Sequence, residues 1–237
     1  MTQTELHGIH RVNKSTLKNQ ISSQIKELIL TNRLHPGQPI VIDKLAEEFG
    51  VSHTPVREAL TMLERDGLIE LSSYQNPKVA DVTVVEVREV CEMRLMVESW
   101  AVERAARNLT VEQIEHIDKL LQHARQEAEL KNYEPHVKVD LLLHETILSS
   151  TGNKIFWKLA QRIHERSILV RALVEEKGTT QDIQQIIDEH CLIIRALYAR
   201  DPEQARKSMV AHLEAGFKRT LQVLKKNSYR EDLRIPL

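Results

Sequence analysis

Ile42-Asp43-Lys44-Leu45-Ala46-Glu47-Glu48-Phe49-Gly50-Val51-Ser52-His53-Thr54-Pro55-Val56-Arg57-Glu58-Ala59-Leu60, followed by Asp66-Gly67-Leu68-Ile69, is the stretch that decides the fold. It reads as two short helices joined by a tight turn, with a strand after them. In the first helix Leu45, Ala46 and Phe49 share a face, Asp43 is expected to cap the free N–H groups, and Gly50 stands where a left-handed residue ends a helix. In the second, Thr54 is expected as the cap, with Pro55 at the helical position that needs no donor. Val56, Ala59, Leu60 and Leu63 form its apolar face, and His53, Arg57 and Thr61 line the other. A helix that buries one side and offers Arg, His and Thr on the other suits the major groove of DNA, although an ordinary helical hairpin would share the pattern.

The flanks extend the reading. Leu68 to Leu71 is a short apolar strand, Ser72 to Pro77 is rich in turn formers, and Val79 to Val82 can return as a second strand. Upstream, Leu17, Ile21, Ile25, Leu28 and Ile29 make a helical stripe from about Ser15 to Asn32. Helix, helix, hairpin is the order of a winged helix. Between Arg11 and Arg33 the basic residues Arg11, Lys14, Lys18, Lys26 and Arg33 face the single Glu27, so phosphate contacts are affordable at a net charge of −1. The candidate DNA contacts are Arg33, Ser52, His53, Thr54, Arg57 and Asn76.

This region resembles the DNA-binding domain of the GntR superfamily of bacterial regulators. The resemblance rests on Leu34-His35-Pro36-Gly37, Leu45-Ala46-Glu47, Val51 through Leu60, and Leu63-Glu64-Arg65-Asp66-Gly67-Leu68. It implies a homodimer on a palindromic operator. Two departures bear on DNA reading: the family usually has Arg where this chain has His53, and Arg-Gly at the wing tip where this chain has Gln75-Asn76-Pro77.

With 41% apolar and 28% charged residues, few aromatics, and only seven each of Gly and Pro, the chain is expected to be a mostly α globular protein. No apolar run reaches the roughly 18 residues of a membrane span, and Met1 to Lys14 is too polar for a signal peptide, so a cytoplasmic protein is expected. Cys91 and Cys191 are expected as reduced thiols. From Val82 onward helical patterns are expected over 84–108, 111–131, 134–151, 153–175, 180–200 and 202–226, separated by Pro, Gly, Asn and Thr punctuation. Six helices with short links make an antiparallel bundle. The expected organisation is an arm over 1–14, a winged helix-turn-helix over 15–82, a helical effector-binding and dimerisation domain over 83–227, and a tail over 228–237.

Asp140 and His144 are four apart and project from one helix face, with His190 and His212 near the middles of two others. Three imidazoles and a carboxylate can hold a borderline divalent cation, but a lone core histidine explains any one of them as well. The bundle resembles the FCD ligand-sensing domain of the FadR-type branch of the GntR superfamily. The likeness lies in Asp140-Leu141-Leu142-Leu143-His144, Ser150-Thr151-Gly152-Asn153, Glu189-His190, and Met209-Val210-Ala211-His212-Leu213. It implies a metal held by Asp140, His144, His190 and His212, with zinc expected first and nickel or manganese as alternatives. It also implies a small carboxylate effector, contacted by Arg94 and Asn153. For Arg94 the competing role is an ion pair with Glu98; for Asn153 it is a helix cap. His116, His123, His136 and His164 match no family position, and His164 is the one expected near the site.

Two other functions compete with a metabolite-responsive regulator. One is a metal-dependent hydrolase or lyase, with Glu145 or Glu189 as base; Leu148 stands where a zinc-protease motif needs its second His. The other is a constitutive DNA-binding protein whose bundle only dimerises.

Overall fold

Apolar residues at helical spacing and capped termini set the architecture of the computed structural model, which describes residues 14–31, 33–72, 76–175 and 179–226. Residues 1–13 of the expected arm, Gln75 of the wing tip and the expected tail over 228–237 lie outside the described residues. Helix α1 (Lys14–Leu30) turns Ile21, Ile25 and Ile29 inward, while Leu17 stands exposed and leaves the predicted stripe. Helix α2 (Ile42–Phe49) buries Leu45 and Ala46. It stops at Gly50, whose φ of 64° is left-handed, as expected. Helix α3 (His53–Arg65) buries Val56, Ala59, Leu60 and Leu63 against α1.

Two predicted caps are corrected. Asp43 lies inside α2 rather than before it; Val41 precedes the helix without a side-chain cap, and the Asp43 carboxylate sits 3.2 Å from His53 Nε2. Helix α3 begins one residue before Thr54, so Ser52 occupies the cap position and makes no side-chain bond there.

The hairpin is shorter than predicted. Strand β1 (Ile69–Glu70) pairs antiparallel with β2 (Lys78–Val79), Ile69 opposite Val79. On the other side of β2, Gln38 O accepts from Val79 N at 2.9 Å and Ile40 N donates to Pro77 O at 2.6 Å. Pairing ends after Ala80 because Asp81 N turns to the Glu70 carboxylate and Thr83 caps the next helix by accepting from Glu86 N.

That helix is α4 (Val84–Asn108), followed by α5 (Val111–Glu129), α6 (Glu134–Ser149), α7 (Lys154–Glu175), α8 (Thr180–Tyr198) and α9 (Pro202–Lys226). Reciprocal capping boxes start α5 (Thr110 with Gln113) and α8 (Thr179 with Asp182), which is why these starts were legible. Helix α4 packs along α9, α9 against α8, and α5 against α6 and α8. Ala105, Leu121, Ile147, Ile187, Leu197 and Met209 fill the centre. A second cluster crosses from the winged helix into the bundle, joining Ile25, Leu60 and Leu68 to Val87, Ile168 and Leu169. Both cysteines are free thiols. No described helix is long and apolar enough to cross a membrane.

Candidate metal and effector site

Helix α6 places His136, Asp140 and His144 at successive steps of four, so all three project from one face, and all three are buried. His190 comes from α8 and His212 from α9, both buried. The inward atoms converge. His190 Nε2 is 3.2 Å from Asp140 Oδ1 and 3.4 Å from His212 Nε2, which is 3.3 Å from His144 Nε2. One ligand atom from each of Asp140, His144, His190 and His212 lies within 4.8 Å of the others.

The outer ring nitrogens explain this orientation. His144 Nδ1 bonds the Glu98 carboxylate, and His212 Nδ1 donates to Glu189 Oε2 at 2.8 Å. With their protons on Nδ1, these imidazoles turn Nε2 lone pairs toward the common centre. Each carboxylate is itself held. Arg94 Nε donates to Glu98 at 2.6 Å, Arg219 grips Glu189 through two bonds of 2.7 Å, and Arg171 lies 2.6 Å from Asp140 Oδ2. Glu98, the Arg94 partner anticipated as an alternative, is thus also the outer support of His144.

Burial sets the protonation states. Desolvation lowers His190 to about 3, with His212 adding repulsion, and lowers His212 to about 4 against the pull of Glu189. Burial alone would raise Asp140 and Glu98; Arg171 holds the first, and Arg94 with His144 the second, well below the carboxylate range. Neutral His190 and His212 beside an ionised Asp140 are the protonation states a cation needs. The donor set of three imidazole nitrogens and one carboxylate oxygen therefore fits a borderline divalent metal.

Beside this cluster a small cavity of about 60 Å³, opening toward solvent, is lined by Arg94, His136, Asp140, Arg171, His212 and Arg219 on its polar side. Val170, Ile186, Leu213 and Phe217 form its apolar side. Arg94 reaches both the cavity and His144, with Nη2 3.4 Å from Nδ1. Asn153 does not line the cavity: it is exposed, and its Oδ1 accepts from Ile155 N and Phe156 N at 3.1 and 3.0 Å. This is the helix-cap role named as the alternative to the effector contact that the resemblance implied.

Sequence reasoning missed His136, Arg171, Arg219 and the supporting part of Glu189. His136 was findable, one turn before Asp140 on the same face. His164, expected nearby, is buried on α7, and burial lowers it to about 3.

In the winged helix, Ser52, His53, Thr54 and Arg57 are exposed at the start of α3, and Arg57 shares a cleft with exposed Asn76. Arg33 is exposed elsewhere, in a cleft with Glu27, Glu48 and Glu134. Lys26 is also removed from the basic surface, held 2.6 Å from Glu165 and 3.4 Å from Asp66. The hydrolase bases fare no better: Glu145 is exposed, and Glu189 is engaged by Arg219 and His212.

A winged helix-turn-helix joined to a helical bundle with a buried polar cavity defines a DNA-binding transcriptional regulator. Residues 17–75 match the family of bacterial regulatory proteins, gntR family, and residues 89–215 match the FCD domain. The chain belongs to the GntR family of transcriptional regulators and carries an FCD domain as its C-terminal part. It is 28% identical to the gluconate operon transcriptional repressor of Bacillus licheniformis, over 80% of this chain and 79% of that protein. It is 25% identical to the HTH-type transcriptional repressor NanR of Cronobacter sakazakii, over 86% and 85% of the two chains. Its fold is similar to that of Escherichia coli McbR/YncC, with a TM-score of 0.79 and 25% identity over 87% of this chain and 97% of that one. These families and relatives are transcriptional regulators, not enzymes.

Proposed function

We propose that this regulator binds a divalent metal through Asp140, His144, His190 and His212, and that a small carboxylate effector in the adjoining cavity modulates its operator binding. The observation that carries the reading is the convergence of four buried donors whose outer faces are fixed by Glu98, Glu189 and Arg171. Zinc suits this set best, with nickel and manganese as alternatives. When bound, the metal supplies a Lewis-acid centre for a carboxylate. Arg94 and Arg171 supply counter-charge beside it, and the apolar wall takes the ligand's carbon chain.

Elemental analysis of untagged protein purified without chelator is expected to find close to one divalent metal per chain. At a thousandfold excess over Kd the metal stabilises the folded state by about 4 kcal/mol. Chelation, or His190→Ala, should therefore lower the melting temperature by roughly 10 °C. Metal-free protein that melts and answers carboxylates like the loaded form would rule the site out.

DNA recognition is assigned to Ser52, His53, Thr54 and Arg57 of α3, with Asn76 at the wing and Arg33 as a more distant phosphate contact. One such helix reads only a few base pairs, so the chain is proposed to act in the cytoplasm as a homodimer on a palindromic operator. A dimer face is available on the bundle. On helices α4 and α7 Trp100 lies tilted against Phe156, ring centroids 4.6 Å apart, and Met93, Met96, Ile155 and Leu159 of the same helices are exposed. A charge there should be incompatible with pairing. Met96→Glu is expected to yield monomers in light scattering; an intact dimer would move the interface elsewhere.

A further inference from the structure

We infer that Arg166 is a positioning residue through which helix α7 carries the state of the cavity to the recognition helix. Its guanidinium joins four segments. It donates to the carbonyl of Gly67, just past the end of α3, and to Asp81 O at 3.1 Å, where the hairpin exits. It also pairs with Glu86 in the first turn of α4, while its own backbone belongs to α7. A cation at the end of α3 meets the negative pole of that helix and its unpaired carbonyls. The adjoining residue repeats the connection: Glu165 binds Lys26 of α1 at 2.6 Å, and Lys26 also reaches Asp66, the residue that ends α3.

Gly67 makes the approach possible. Its φ is +75°, and an added Cβ would stand 3.4 Å from Arg166 Cδ. A side chain at 67 would thus be strained in itself and would press on the arginine.

The other face of α7 belongs to the cavity. Arg171 lines it and holds the carboxylate of Asp140 at 2.6 Å. Val170 beside it lines the cavity. One rigid helix therefore grips the metal-type cluster with Arg171 and the end of the recognition helix with Arg166, only five residues apart. A ligand that draws Arg171 from Asp140 changes the forces on α7, and Arg166 passes the change to α3. The inference rests on the cavity being the effector site, but its test requires neither effector nor operator.

The test is a double-mutant cycle on the full chain, read by amide hydrogen exchange at residues 66–70 and 79–82. Arg171→Gln alone is expected to speed exchange there by about tenfold, as a local opening made easier. Arg166→Ala should speed it similarly, with unchanged exchange in the bundle core, and the double variant should add little more. Arg166→Lys should restore part of the protection, since an ammonium reaches some of the same oxygens without the planar fork. Independent, additive effects would overturn the inference, as would an Arg171→Gln variant whose winged helix exchanges like wild type. Both outcomes leave the metal reading standing, because that reading is decided by metal content and melting.

Discussion

Among the described residues of the winged helix the buried side chains are apolar apart from Ser22, and the groups proposed to read DNA, His53 and Arg57, stand in solvent. In the bundle the order is inverted: Arg94, Glu98, His136, Asp140, His144, His164, His190 and His212 are buried among isoleucines and leucines. A surface site costs the fold little, and the partner supplies what the exposed groups lack. A buried site must satisfy itself first, and here each arginine has its carboxylate: Arg94 with Glu98, Arg171 with Asp140, Arg219 with Glu189. Function and stability are separable in the first region and entangled in the second.

The strongest way to break this comparison is Glu98→Ala. Glu98 is 1% exposed and holds both Arg94 and His144. Removing one partner of a buried pair costs about 3–5 kcal/mol, because the other charge is left uncompensated. Urea unfolding is expected to show a loss of that size; a loss below about 1 kcal/mol would mean the buried pairs contribute no more than surface ones.

Arg57→Ala probes the opposite region. Operator affinity should fall by roughly 1–3 kcal/mol, the worth of a bidentate base contact, while stability stays within about 0.5 kcal/mol. DNA selected from random sequence by the wild-type protein provides the operator, and a gel shift at fixed salt provides the readout. Unchanged affinity would put base reading on another face.

Acid sharpens the contrast through a single proton. His164 is held neutral by burial, its pKa lowered from 6.5 to about 3. Below pH 6.5 the unfolded chain takes up a proton that the folded chain refuses, so stability falls as pH drops toward 3 and is fully present above 6.5. The slope for one such proton is about 1.4 kcal/mol per pH unit, an upper bound after relaxation. His164→Gln should flatten the stability profile between pH 6 and 4 relative to wild type; parallel profiles would show that His164 is protonated in the folded state.

The same contrast explains what the sequence made legible. Helix limits in the bundle came out within about two residues, because Thr110-Gln113, Thr179-Asp182, Gly152 and Pro202 are local signals. The two misread caps, Asp43 and Thr54, were local too, but a carboxylate facing His53 and a helix starting one residue early depend on neighbours. At the site, Asp140 and His144 share a spacing, whereas His190 and His212 stood out only by their mid-helix places and were given weight as ligands by the family resemblance. Arg171 and Arg219 carry no signal at all in one dimension: their partners Asp140 and Glu189 lie 31 and 30 residues away on other helices. Asn153 shows the opposite hazard, a family position whose side chain here serves its own helix.

Helix α4 has a mechanical consequence. Its 25 residues make a rod about 37 Å long. Glu86 sits at the end that meets the winged helix, and Glu98 stands beside the buried histidines about 18 Å further along. A tilt of about 10° pivoting near Glu98 would sweep Glu86 through about 3 Å, close to the 3.4 Å step between stacked base pairs. A small rotation of this one helix would therefore be felt at the hairpin and at the end of the recognition helix on the scale at which DNA sequence is read.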